Sequence, residues 1–331
     1  MNNKEPKTVK ERKVLKVFEK RKIFYAISCL LIASFITLTI VIKLNVAIEF
    51  KGGTILTYSY TGDIKTDDIE DVVTKAVDEK PTITLGEDTA SDTTTIKIQF
   101  SSDEGISDDK QNAIKTSLIE KFKDNDIKVL ESTDVAASNG LDFFLKCLVA
   151  CAFAALITII YIGFRFRKIG GISAGVFSVV ALLHDMCMVY GCFVICRFDI
   201  NANFMAVLLT ILGYSINATI IIYDRIRENE KLIGNKMELD QLVNLSITQT
   251  MGRSIHTTVT TVLAMTTVCV VCFIAGVTSI ISFAFPLIIG MIAGVYSSNC
   301  IAPTLWVMWE KHKGKKGKGR VAKNAKKAQR T

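Results

Sequence analysis

The sequence predicts an α-helical multi-pass membrane protein of six transmembrane helices, carrying a small α+β, ferredoxin-like external domain. Three observations predict it. Half of the 331 residues are hydrophobic and the mean hydropathy is +0.35, too apolar for an ordinary soluble domain of this length. Six stretches reach the roughly 20 apolar residues that a helix rising about 1.5 Å per residue needs to cross a hydrocarbon core of about 30 Å. A polar segment, Val46 to Gly140, separates the first two stretches and is long enough for one small domain.

The spans read as Ile23 to Ile42, Phe143 to Phe164, Gly170 to Ile195, Phe204 to Tyr223, Ile255 to Ala275 and Ile280 to Trp309, the last broken at Pro286 or starting after it. The first is full length and lacks a small-residue cleavage site, so it is expected to stay as an uncleaved span. Residues 1–22 carry nine Lys or Arg and residues 310–331 carry ten, which places both termini in the cytoplasm. The alternation then puts "RFRK" (Arg165 to Lys168) and the 224–254 connection inside, and "RFDIN" (Arg197 to Asn201) and "GVTS" outside. The basic tail is primarily a solvated topology determinant. Anionic lipid is its expected contact, and no specific nucleic acid is expected.

The external segment, 46–140, is net acidic. "AIEF" and "TILTYSY" alternate as a strand should, and Thr66 is placed to cap a helix with Ile69, Val72, Val73, Ala76 and Val77 on one face. "TITL", "GEDTASD" and "TIKIQF" form a hairpin pattern. A second helix, capped by Ser107 and striped by Ile114, Leu118, Ile119 and Phe122, leads to the strand "IKVLES". Strand, helix, strand, strand, helix, strand is the order of the split βαβ sandwich. Gly52 and Gly53, inside an otherwise regular strand pattern, mark a bulge, a bend or a close backbone approach.

The segment contains neither His nor Cys, and its carboxylates lie mostly on helix faces or turns, so it is expected to bind and not to catalyse. None of the nine cysteines falls in it, which excludes a disulfide framework there. Cys269 and Cys272 form a CxxC, but an apolar helix supplies no second ligand pair, so they read as small packing residues, with no metal or other cofactor.

Three stretches resemble one family. "IEFKGGT" (Ile48 to Thr54, with Gly52, Gly53 and Thr54 at its end) is similar to the motif after the first span of the SecD and SecF protein-export membrane proteins. "GYSINATIIIYDRIREN" (Gly213 to Asn229) resembles the fourth-span signature of the SecF branch, and "TQTMGRSIHTTVTTVL" (Thr248 to Leu263) the start of its fifth span. His184 and Asp185 match a pair in span three. The length of the external segment suits the SecF branch. The resemblance implies half of a resistance-nodulation-division type transporter in the cytoplasmic membrane. It implies pairing with SecD, and with YajC as a further component, to assist the SecYEG translocon. The substrate would be an unfolded polypeptide and the driving force the proton or another ion gradient, with no enzyme activity and no cofactor.

The coupling candidates are Asp185, Arg253, Asn217 and Ser215. An ionisable side chain within a span costs roughly 2.5–3.5 kcal/mol on insertion scales, which makes such a group a functional candidate by default, while Ser215 and Asn217 are polar groups of span four. Asp185 is the only carboxylate well inside a span, and two readings are open: an ion-coupling group, or a plain hydrogen bond to a Ser or Thr of another helix. Sequence neighbours on a helix do not face each other, so His184 and Asp185 are expected to make different contacts. Thr210, Ser215 and Asn217 of span four are placed to meet Arg253 and His256 of span five. Gly213, Ser215 and Ala218 would let those helices approach, and Gly290 and Gly294 repeat the small-residue pattern in span six.

One departure stands out. Where well-studied members carry an Asp after the Asn of this signature, paired with the Arg of span five, this chain has Ala218. The coupling acid would then come from SecD or from Asp185. Otherwise the chain couples to a different ion or serves as a non-energised scaffold. A small-molecule exporter is disfavoured by the small external domain.

Overall fold

The computed structural model describes residues 14–314 apart from 43, 45, 63, 89–92, 101–105, 136, 234–235 and 275–277. Most of both basic termini, the first half of "GVTS" and the end of "GEDTASD" lie outside the described residues. From the N-terminus, α1 (Arg21–Ile42) leads through a single-turn helix, α2 (Ile48–Lys51), into β1 (Gly53–Tyr60) and α3 (Thr66–Val77). The hairpin β2 (Thr82–Asp88) and β3 (Thr93–Phe100) follows, then α4 (Asp108–Lys121) and β4 (Lys128–Val135). The chain returns as α5 (Ala137–Arg165), α6 (Gly171–Cys196), α7 (Ala202–Ile233), α8 (Leu239–Ile274) and α9 (Thr278–Tyr296). A π-turn (Ser297–Ile301) joins α9 to a continuing helix, 302–314.

Six helices are long and apolar enough to cross a membrane: α1, Phe144–Arg165 of α5, α6, α7, α8 and Ile280–Gly314. Roughly half of α6, α7 and Ile280–Gly314 is buried, whereas α1, α5 and α8 are largely exposed, so the first three form the centre of the bundle. Their packing needs small residues. A Cβ on Gly171 would lie 2.4 Å from the Gly163 carbonyl oxygen, and one on Gly290 2.6 Å from Ile211 Cδ1.

Several helix ends differ from the sequence expectation. Helix α9 runs through Pro286 without a break, as membrane helices allow when neighbours satisfy the freed carbonyl. Helices α7 and α8 extend well past their apolar spans and pack together as a polar hairpin. There Asn229 Nδ2 donates to Ser246 Oγ and Gln249 Oε1, both at 2.8 Å, and Arg225 Nε donates to Gln249 Oε1 at 2.6 Å. Leu242, Val243 and Ile247 close its base over Phe166 and Ile226.

In the external domain the sheet order is β2-β3-β1-β4, every neighbour antiparallel, with Leu56 opposite Ile98 and Ile98 opposite Ile83. Leu56, Tyr58, Tyr60, Ile96, Ile98 and Phe100 turn one face inward, as period-two alternation requires. Onto it pack Ile69, Val72, Val73 and Val77 of α3 and Ile114 and Leu118 of α4.

Three details depart from the sequence expectation. "IEF" belongs to α2 and is not strand, because Gly52, at φ +84°, closes that turn by donating its N–H to the Ile48 carbonyl at 2.8 Å. Thr66 is the first helical residue of α3 and Lys65 takes the cap position. Ser107 does take the cap position of α4 but makes no side-chain capping bond, and Ile119 is 41% exposed, one position round from the buried Leu118.

Gly53 is the point of close approach. Its φ is +140°, and a Cβ there would lie 1.9 Å from the Phe100 carbonyl oxygen of β3. Beside it the fully buried Thr54 Oγ1 donates to Asp134 Oδ1 at 2.5 Å and accepts the Ile106 N–H at 2.7 Å, tying β1 to β4 and to the approach to α4. The same junction is fixed to the bundle: Ala47 N–H donates to the Ile200 carbonyl at 3.0 Å, and Phe50 packs edge-on against Phe144 of α5 at 5.8 Å.

Candidate functional site: a buried carboxylate where three helices meet

Asp185 lies midway along α6 and is 0% exposed. A charged carboxylate placed there needs donors, and the fold supplies them from both neighbouring core helices. Ser215 of α7 donates to Oδ2 at 2.5 Å, and Ser297, the first residue of the π-turn, donates to the same oxygen at 2.8 Å. The other oxygen, Oδ1, lies 3.1 Å from His184 Nδ1. Gly294 makes the meeting possible, since a Cβ on it would come within 3.2 Å of Ser215 Cβ and 3.6 Å of Asp185 Oδ2.

The expectation that His184 and Asp185 make separate contacts is therefore wrong. Their Cα–Cβ vectors diverge, but both side chains bend toward the same gap, and the imidazole reaches round the helix to the carboxylate. His184 is itself 7% exposed and lies against the Tyr296 ring at 5.7 Å. Its Nε2 is buried and finds no hydrogen-bond partner among the described residues. Tyr296 in turn donates to the Phe24 carbonyl at 2.7 Å and shares a 3.1 Å hydrogen bond with Ser28, so α1 closes this side of the site.

The π-turn widens the helix by one residue and lets consecutive side chains serve one neighbour. Ser298 Oγ is 2.8 Å from Thr219 Oγ1 of α7 and donates to the Ser215 carbonyl at 3.3 Å. Asn299 donates to the Val295 carbonyl at 2.7 Å, while its Oδ1 is buried without a partner among the described residues. Such turns are frequent at functional sites in helices.

Of the four coupling candidates, the structure joins Asp185 and Ser215 and leaves the other two apart. Asn217 is exposed on α7, and Arg253 and His256 are exposed on α8. The expected meeting of the polar sets of spans four and five does not occur in that form. Ser215 turns the opposite way, into the α6–α9 core, and the link between α7 and α8 at this depth is a 2.8 Å hydrogen bond between Tyr214 and Thr258. Gly290 and Gly294 lie at helix interfaces as expected. Gly213 does not: a Cβ there would meet nothing within 4 Å, because that face of α7 points out of the bundle. Ala218 is half-buried on the same helix.

Ser297, Ser298 and Asn299 were not among the sequence candidates. The available signal was three consecutive polar residues, "SSN", inside the last apolar run. No group of three or more His, Cys, Asp or Glu suited to a metal ion occurs among the described residues.

Residues 114–312 match the family described as "Protein export membrane protein SecD/SecF, C-terminal". The chain is 31% identical over 299 residues to the protein translocase subunit SecF of Thermobaculum terrenum, covering 88% of this chain and 92% of that one. The chain belongs to the SecF family. It is also 32% identical over 301 residues to the protein translocase subunit SecDF of Bacillus subtilis, of which it spans 38% while 90% of this chain is covered. The crystal structure of SecDF, a translocon-associated membrane protein from Thermus thermophilus, is similar in fold. Its TM-score is 0.73 at 25% identity, over 92% of this chain and 40% of the other. This chain thus spans about two fifths of those two SecDF chains and nearly the whole length of the SecF relative.

Proposed function

We propose that the chain acts as the SecF subunit of a SecDF complex in the cytoplasmic membrane and assists SecYEG-dependent translocation of unfolded polypeptide at the expense of an ion gradient. The observation that carries the coupling part is the Asp185 carboxylate, buried at mid-membrane depth and held by hydroxyls from two other helices. A group so placed ties its charge state to the mutual position of α6, α7 and α9, which is what a coupling device requires. The experiment is Asp185→Asn and Arg253→Ala in cells depleted of the native protein. Export should fall with either, at normal protein levels, and unchanged export would overturn the coupling.

Pairing with SecD is supported by the outward faces of α7 and α8. Polar groups within a membrane usually face a bundle interior or a partner. Yet Gly213 and Asn217, and on the other side of the Tyr214–Thr258 contact Arg253, His256, Thr257 and Thr260, face out of this six-helix unit. A second half-transporter would cover them and could bring its own acid to Arg253. Tagged protein recovered without SecD or SecY would count against this.

In the same reading both termini are cytoplasmic, no cofactor is used and no bond of the substrate is made or broken. YajC remains a further expected component. The external sheet order and its two helices on one face support a ferredoxin-like label. A non-energised scaffold is the second reading, favoured by Ala218 in the place of the family's acid; it predicts that neither substitution above affects export.

A further inference from the structure

At the end of the bundle formed by the α5–α6 connection and helix 302–314, an open groove of about 870 Å³ runs between α5, α6 and that last helix. Its cause is local. The three glycines Gly163, Gly171 and Gly175 bring α5 and α6 into backbone contact, with Gly171 facing the Gly163 carbonyl and Gly175 the Ile159 carbonyl, where a Cβ would lie 3.0 Å away. Beside this tight crossing the third helix stands off, and the space between is walled by apolar side chains. Ile160, Phe164 and Ile172 are 62%, 69% and 73% exposed, and Val176 continues the wall toward the membrane interior. Trp309, packed edge-on against Phe177 at 6.2 Å, closes the far side at the level where aromatic residues meet lipid headgroups.

The rim has the opposite character. Arg167 and Lys313 line the same groove, both exposed, and neither is in an ion pair among the described residues. Arg167 Cζ lies over the Phe164 ring, 4.3 Å from its centroid, which holds the guanidinium at the mouth of the apolar channel. The neighbouring N-terminus of α6 is not available to an anion, because Glu310 already approaches it and accepts the Ser173 hydroxyl at 2.7 Å. An incoming negative charge is therefore directed to Arg167 and Lys313.

We infer that this groove holds one anionic diacyl phospholipid, its phosphate between Arg167 and Lys313 and an acyl chain along Ile160, Ile172 and Val176. Charge complementarity decides the occupant: an apolar channel with two cations at its outer end, neither in an ion pair among the described residues, matches an anionic lipid, whereas a zwitterionic lipid would bring a further cation beside them and a plain apolar helix would bring no anion. The site is distinct from the Asp185 cluster, and of the basic segment 310–331 it uses Lys313, not the stretch after residue 314.

The test is native mass spectrometry of the full chain released from nanodiscs made of phosphatidylcholine and phosphatidylglycerol in equal amounts. Both surfaces then carry the same lipid, so the result reads the groove and not the orientation of the protein. Phosphatidylglycerol should be retained in preference to phosphatidylcholine. The preference should fall roughly fivefold for each of Arg167→Gln and Lys313→Gln. Val176→Trp, which fills the channel without changing charge, should release the lipid, and removal of the tail after residue 314 should leave the preference intact. A photo-crosslinking residue at Ile172, in cell membranes, should give an adduct of phospholipid mass. An unchanged preference in the double Gln variant, loss of it on tail removal alone, or a crosslink to a protein would each overturn the inference, the last by assigning the groove to a partner helix.

Discussion

The cluster around Asp185 makes a quantitative claim that a double-mutant cycle can check. A hydroxyl donating to a buried charged acceptor contributes about 1.5–3 kcal/mol, and to a neutral one about half as much. Ser297 donates to Oδ2 at 2.8 Å from inside the π-turn, and Ser215 reaches the same oxygen. With Asp185 ionised, Ser297→Ala should cost about 2 kcal/mol in the native chain and about 1 kcal/mol in an Asp185→Asn background, whose acceptor carries no charge. The expected coupling is thus about 1 kcal/mol, above the roughly 0.3–0.5 kcal/mol within which independent sites add. Equilibrium unfolding in mixed micelles, followed by tryptophan fluorescence, gives the four free energies. Trp306 is buried in the bundle near the end of the same helix and reports its loss. Additive costs would refute the claim that the serines solvate a carboxylate charge, and so would a Ser297→Ala protein as stable as the native one.

Three further outcomes follow from the external domain. Gly53→Ala forces a Cβ to within 1.9 Å of the Phe100 carbonyl oxygen at φ +140°, so it should open the β1–β3 pairing and make the domain sensitive to limited proteolysis in the otherwise intact chain. Leu118→Ala should destabilise that domain by about 2–5 kcal/mol, while Ile119→Ala should stay within about 0.5 kcal/mol, as urea titrations of the two variants will read. Burial pushes the Tyr58 phenol up to about 12 from the usual 10.0. The protonated form is the one the fold favours, so this contribution is complete below pH 10 and is lost as pH rises toward 12. Circular dichroism should show alkaline unfolding that Tyr58→Phe reduces.

Much of this architecture could be read from residue patterns because the physics involved is local. The apolar run of α1 and the alternation of Leu56, Tyr58 and Tyr60 each declare their surroundings within a few positions. Ile119 lies outside the core although the adjacent Val72 and Val73 of α3 are both inside it, so the apolar pattern alone does not say which of two neighbours is covered; the packing of α4 against α3 decides it. The same limit applies at the site. Asp185 was conspicuous by charge, but its partners lie 30 and 112 residues away in sequence, on helices whose rotation the sequence does not state. Ser297 reaches the carboxylate from the first position of a π-turn, and periodicity counted in steps of 3.6 carries no sign of such a turn. Asn217 and Arg253 share a depth, but depth does not fix the rotation of α7 and α8, which leaves both side chains exposed.

That π-turn has a genetic consequence. It accommodates one residue more than an α-helix would over the same rise, so deleting a single residue between Ser298 and Ile301 would convert it to regular helix without shortening the span appreciably. Such a deletion, usually among the harshest changes a buried helix can suffer, would here close the bulge and leave Trp306 and everything after it near their present orientation, whereas the same deletion within the regular helix 302–314 would turn all that follows by about 100°. What it would lose is the widened turn from which the consecutive residues Ser297 and Ser298 reach Asp185 and Thr219. The length of this segment, and not only its residue types, is therefore part of what selection must hold constant.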